Sequence, residues 1–130
     1  MQIYFAVMLG GAIGSALRLW VSLFFASRHG GAFPLGTLVV NVAGCLAIGL
    51  FAGLTGPQGM IAASPAVRSF VTIGVLGGFT TFSSFGLQTL ELMTEGDFGS
   101  AMLNVGLSVL LCLLAVWIGM MSAHAINRLT

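Results

Sequence analysis

Four long apolar stretches make up most of the chain, and short polar clusters separate them. The first runs from about residue 3 to 26 and ends in the turn-rich Ser27-Arg28-His29-Gly30-Gly31. The second follows Pro34, covers 35–54 and closes at Gly56-Pro57-Gln58-Gly59. The third covers 65–94 and closes at Glu95-Gly96-Asp97, and the fourth covers 98–125. Each stretch meets the roughly 20 apolar residues that a bilayer-spanning helix requires. The pattern predicts an all-α integral membrane protein: one four-span domain over 1–130, with short loops, no soluble module and no internal repeat.

The third stretch does not fit a plain span. As a straight helix its residues would extend about 45 Å at 1.5 Å per residue, against a hydrocarbon core of about 30 Å. Near its middle, residues 77–85 read Gly-Gly-Phe-Thr-Thr-Phe-Ser-Ser-Phe. A strong tilt would absorb the excess length. A break near Gly77-Gly78 into two half-helices is the favoured alternative. Irregular backbone in a bilayer is tolerated only where it is buried in protein or lines a water-filled path. Broken helix ends at that depth commonly bind ions. Four helices enclose little volume, so a pathway here calls for a second copy, and twofold dimers are the commonest homo-oligomers.

Composition agrees with the membrane reading. Charged residues are 5% of the chain, where soluble domains carry about 25%, and the mean hydropathy is +1.09. There is no lysine; the charges are Arg18, Arg28, Arg68, Arg128, Glu91, Glu95 and Asp97. At a net charge of +1 no basic patch can be assembled, which excludes nucleic acid as a partner. Met1-Gln2-Ile3-Tyr4 lacks the positive region of a signal peptide, so the first stretch reads as a retained span. Arg68 and Arg128 fall on one side and Arg28 on the other. That bias of one arginine is a weak vote on orientation, and it leaves an antiparallel dimer open.

The polar positions inside the spans carry the candidate chemistry. Thr37 and Asn41 share one helical face, and Asn104, Ser108 and Cys112 repeat the same spacing. Singly, each fits interhelical hydrogen-bond glue, worth about 0.6 kcal/mol on average. Together with the interrupted third stretch they outline a lined path. Its donors are amides and hydroxyls, and no carboxylate falls at mid-membrane, since Glu91 and Glu95 lie toward the end of the third stretch. Cation paths favour carboxylates or carbonyls, so the side chains favour an anion. The positive ring edges of Phe82 and Phe85 suit one too, although the glycine break could equally offer carbonyls to a cation. Arg18, in the last third of the first span, either snorkels to the headgroups or places a cation at a vestibule mouth. Gly10 with Gly14, and Gly49 with Gly53, are small-residue pairs that allow close helix packing. Cys45 and Cys112 lie within apolar stretches at no metal-ligand spacing, which predicts packing rather than a disulfide or metal. No acid/base pair, metal set or partnered nucleophile is present, so an enzyme is not expected.

Three segments together resemble the Fluc/CrcB family of fluoride channels. They are Gly10-Gly11-Ala12-Ile13-Gly14 with Arg18, Pro34-Leu35-Gly36-Thr37-Leu38 with Asn41 and Gly44, and Gly77 through Phe85. The resemblance covers essentially the whole chain in order. Phe79 and Ser84 stand where Leu and Thr are frequent, Gln88 where Glu is often seen, and Cys112 where a hydroxyl can occur. The resemblance implies an antiparallel, dual-topology homodimer in a prokaryotic cell membrane, with two pores for passive, selective export of fluoride. It also implies a structural sodium ion at the dimer centre, held by the carbonyls of Gly77 and Thr80. Phe82 and Phe85 resemble the aromatic box facing fluoride, Asn41 the pore amide, Ser108 a hydroxyl of the polar track with Thr37 on its facing track, and Arg18 the vestibule arginine. Two rivals remain. A proton-coupled small multidrug exporter needs an intramembrane carboxylate, and the first span offers only Arg18. A non-conducting membrane subunit predicts no ion flux.

Overall fold

The computed structural model describes residues 1–129. Among them all regular structure is helical, with no strand, and four helical runs are long and apolar enough to cross a membrane. α1 is Gln2–His29, and α2 is Leu35–Thr55. The third run, Pro65–Thr94, comprises α3 (Pro65–Ser69), a π-helical segment Phe70–Leu76, α4 (Gly77–Phe79) and α5 (Phe82–Thr94). α6 is Phe98–Asn127. The four helical runs begin and end within a few residues of the apolar stretches. The first, second and fourth spans run slightly longer because their last turns continue past the apolar residues.

The helix ends follow from short polar residues. Ser64 accepts the Val67 N–H at the start of α3, with Pro65 at the first helical position. Asp97 accepts the Ser100 N–H at 3.0 Å to start α6. Hydrogen bonds from the Ser100 side chain and backbone hold the Asp97 carboxyl below its ordinary pKa. α2 ends at Thr55, whose carbonyl accepts from Arg68 Nη2. Arg68 Nε also donates to the Ala63 carbonyl at 3.3 Å. A cation at a helix C-terminus is stabilising, so Arg68 anchors the 56–64 loop as well as carrying an orientation charge. Asn127 anchors the same loop from α6, donating to the Gly53 carbonyl at 3.1 Å and accepting the Met60 N–H at 3.2 Å.

Two glycine seams set the layout. Gly10 lies against Phe70 and Gly74, and Gly14 against Val75 and Phe79, so α1 runs alongside and parallel to the first half of the third run. Gly49 lies against the Val116 backbone and Gly53 against Met120 and Ala123, so α2 and α6 are likewise parallel. Gly119 faces Leu46 and Leu50 from the other side of that seam. The small-residue pairs in the sequence are thus contact surfaces at which an added Cβ would collide with backbone at Gly10, Gly14 and Gly49 and with the Ala123 side chain at Gly53. With no hydrophobic force between helices in lipid, close packing of this kind drives association.

The seam generates a test. A methyl group on Gly14 would meet the Val75 carbonyl and the Phe79 nitrogen, whereas one on Gly11 would meet nothing within 4 Å. Overpacking costs about 1–3 kcal/mol. Gly14→Ala is expected to lower stability by about that amount, and Gly11→Ala to leave it unchanged or raise it slightly. Denaturant unfolding of the two purified variants in detergent measures the difference.

Candidate functional site

The glycine pair itself is helical, and the residues that leave the helix are the next two polar ones. Thr80 (φ −80°, ψ 158°) and Thr81 (φ −152°, ψ 112°) are extended and belong to neither α4 nor α5. Extended backbone at this depth needs partners for its polar groups. Asn41, on α2, supplies them. Its Oδ1 accepts the Thr81 N–H at 2.8 Å, and its Nδ2 donates to the Thr81 carbonyl at 3.1 Å. The side-chain amide thus pairs with the peptide in the manner of a neighbouring strand. Thr81 then caps α5: its Oγ1 accepts the Ser84 N–H at 3.2 Å and donates to Ser84 Oγ at 3.0 Å.

The interruption takes the helical donors from the carbonyls of Gly77, Gly78, Phe79 and Thr80. In a continuous helix the Gly77 carbonyl would accept from the Thr81 N–H, and the Thr80 carbonyl from the Ser84 N–H. Those donors go to Asn41 and to Thr81 Oγ1 instead. Carbonyl oxygens relieved of their helical donors are hard, neutral ligands of the kind that hard cations take. Two such oxygens from one chain, at Gly77 and Thr80, would fill only part of a cation's shell.

Beside the two carbonyls runs an open groove of about 480 Å³. Asn41, Thr80, Phe82, Phe85 and Ser108 all line it, and no charged side chain does. The Phe82 and Phe85 rings lie 5.3 Å apart, tilted by 46°. Phe82 is 83% exposed on the single chain. The hydroxyls of the 80–84 segment are largely spent locally: Thr80 Oγ1 donates to the Leu76 carbonyl at 2.9 Å, and Ser83 Oγ lies 3.3 Å from Thr81 Oγ1. Two donors remain for a guest. Ser108 Oγ is buried with no hydrogen-bond partner among the described residues. Asn41 Nδ2 carries two N–H bonds and uses one on Thr81. The groove therefore offers neutral donors and two aromatic rings in an apolar wall.

Comparison with known proteins places this architecture. Residues 5–120 match the family model described as CrcB-like protein, Camphor Resistance (CrcB). The chain belongs to the CrcB family. It is 54% identical over 128 residues to the fluoride-specific ion channel FluC of Paramagnetospirillum magneticum, covering 98% of this chain and 100% of that protein. It is 51% identical over 126 residues to the FluC of Methylocella silvestris, covering 97% and 96% of the two chains. It is 52% identical over 129 residues to the FluC of Opitutus terrae, covering 99% and 98%. With its four apolar spans, this CrcB-family chain is a multi-pass membrane protein.

Within this CrcB-family fold the candidate residues separate into two groups. Asn41, Phe82, Phe85, Ser108, Gly77 and Thr80 meet at the groove. Thr37 is buried one turn before Asn41 and does not line it. Arg18 is half-buried one turn past Gly14 on α1, also outside the groove, and makes no hydrogen bond or ion pair with another described residue. Asn104, 1% exposed, donates to Thr89 Oγ1 at 2.9 Å and ties α6 to α5. It is interhelical glue. Sequence reasoning missed three features: the π-helical segment at 70–76, the Thr81 peptide as the partner of Asn41, and the Asn104–Thr89 link. The adjacent threonines after the glycine pair were a usable signal for the second, since paired β-branched hydroxyl residues favour extended or capping backbone.

Removing the Asn41 amide leaves the buried Thr81 N–H without a partner, at a cost of about 1–3 kcal/mol. Asn41→Ala is expected to lower stability by that amount and to speed hydrogen exchange selectively at the Thr81 amide. Exchange mass spectrometry over 77–85 is the measurement, and unchanged protection there would show that the amide does not hold the segment.

Proposed function

We propose that the chain is a fluoride-selective channel that lets fluoride leave the cytoplasm passively, lowering its toxicity. Fluoride enters cells as neutral hydrogen fluoride, dissociates inside and is trapped as the anion, so a passive exit path suffices. The observation that carries the reading is the convergence of Asn41, Ser108, Phe82 and Phe85 on one uncharged groove, two of them with unspent donors. An anion moving along it would exchange water for the free Asn41 N–H, the Ser108 hydroxyl and the ring edges. No covalent chemistry is involved. The family relationship supports the choice of ion, since the similar proteins carry the name fluoride-specific ion channel. A proton-coupled exporter would need a carboxylate in this position, and none lines the groove.

The working unit in this proposal is an antiparallel, dual-topology homodimer in which the interruption at Thr80–Thr81 is a functional break of the third span. Support comes from what one chain leaves incomplete. The groove is open, Phe82 is largely exposed, and the Gly77 and Thr80 carbonyls provide only half of a plausible four-oxygen set. A second copy across a twofold axis would close the groove and double the carbonyls. Sodium held there would supply a fixed positive charge that offsets repulsion among the carbonyl dipoles. Arg18 would act at a vestibule mouth, drawing anions inward by long-range attraction.

Fluoride efflux from proteoliposomes tests the reading. The unmodified protein is expected to release fluoride rapidly and to retain chloride. Phe82→Ile removes an aromatic edge, and Asn41→Asp places a negative charge on the path. Each is expected to slow efflux at least about tenfold. No efflux from the unmodified protein would overturn the function, and unchanged efflux in both variants would overturn the site.

A further inference from the structure

The two polar tracks face one another rung by rung. Gly49 meets Val116 and Gly53 meets Met120 along the parallel α2–α6 seam. One helical turn earlier on both helices, that register sets Cys45 opposite Cys112, and another turn sets Asn41 opposite Ser108. All four of these residues line the groove. Both cysteines are free and half-buried, and the Cys45 thiol is the neighbour of the Cys112 thiol. The groove thus has a thiol pair directly beside its donor rung, on two helices held together by glycine contacts.

We propose that Cys45 and Cys112 form a two-coordinate site for a thiophilic divalent d10 cation, and that filling it closes the fluoride path. Soft thiolates select such metals over hard ones, and a linear two-sulfur complex needs no third ligand. Among the described residues no group of three or more metal-ligating side chains exists, which leaves metals that require tetrahedral shells without a site. On binding, each thiol loses its proton and forms one sulfur–metal bond. Two protons leave, one divalent cation enters, and nothing is oxidised or reduced. The product is electrically neutral, which matters because an uncompensated charge in an apolar surround is costly. The bridged pair would tie α2 to α6 across the groove one turn from Asn41 and Ser108. Closure of the path rests on the fluoride reading above; metal binding does not.

Mercuric ion is the probe, applied to the full-length protein in detergent and in fluoride-loaded proteoliposomes. One equivalent per chain is expected to add one mercury and remove two protons in the intact mass. It is also expected to protect both cysteines from maleimide and cut fluoride efflux at least about tenfold. The block should survive washing with a monothiol and be reversed by a dithiol. Cys45→Ala and Cys112→Ser, each compared with its own untreated rate, should regain efflux on the monothiol wash, and the double variant should be insensitive throughout. Loss of only one proton per mercury, continued maleimide labelling at one equivalent, or block of the double variant would overturn the proposal. Absence of efflux before any metal is added would overturn the fluoride reading instead, and the mass and labelling results would still decide the thiol site.

Discussion

The pairing of the Asn41 side chain with the Thr81 peptide is the contact on which the rest of the site depends. An extended dipeptide inside an apolar span exposes backbone groups that lipid cannot satisfy. Asn41 meets both polar groups of Thr81 at once, from a different helix. Because the Thr81 N–H is drawn sideways, the Gly77 carbonyl loses its helical donor; because Thr81 Oγ1 caps α5, the Thr80 carbonyl loses its own. One amide therefore holds the extended backbone and takes the donor from the Gly77 carbonyl, while itself lining the groove.

That contact works only because the helices are close and their registers agree. Gly10 and Gly14 bring α1 against the segment leading into the interruption, and Gly49 and Gly53 bring α2 against α6. The first seam supports the start of the third run, where a π-helical segment replaces α-helix. π-helical turns are uncommon and cluster at functional sites. Here one runs from Phe70 to Leu76, directly ahead of Gly77. The second seam puts the polar rungs of α2 and α6 on a common wall. Asn104–Thr89 then fixes α5 to that wall, and with it Phe85, one turn earlier and lining the groove.

Much of this was legible in the residue pattern. The spans follow from hydropathy because burial in lipid imposes length and composition directly. The glycine pairs followed from spacing, since only one face of a helix can approach another so closely. The excess length of the third stretch pointed to Gly77–Phe85. What spacing did not show was which polar groups are spent internally and which are left over. Thr80, Thr81, Ser83 and Ser84 look alike as a run of hydroxyls, yet their hydrogen bonds are local, and the buried hydroxyl that lines the groove without a partner among the described residues is Ser108 on another helix. Asn104 and Asn41 are both amides within polar tracks, but Asn104 donates to Thr89 away from the groove, whereas Asn41 lines it. These are three-dimensional facts, set by which helix lies opposite.

The leftover groups bear on selectivity in a way that counting polar residues does not. A groove with a fixed carboxylate would hold a cation, and one with a fixed arginine would bind any anion strongly enough to slow its exit. Among the described residues the wall carries neither; it is lined by a neutral amide, a neutral hydroxyl and two aromatic rings. Neutral donors discriminate by fit, because each hydrogen bond gains most from a small ion of concentrated charge that can approach closely. They also bind weakly enough for release, which conduction requires. Positive charge, on the proposed reading, is kept off the path and supplied from a distance by Arg18 and by a cation at the Gly77 and Thr80 carbonyls. Separating the field that attracts the ion from the groups that touch it is what allows one groove to be both selective and permeable.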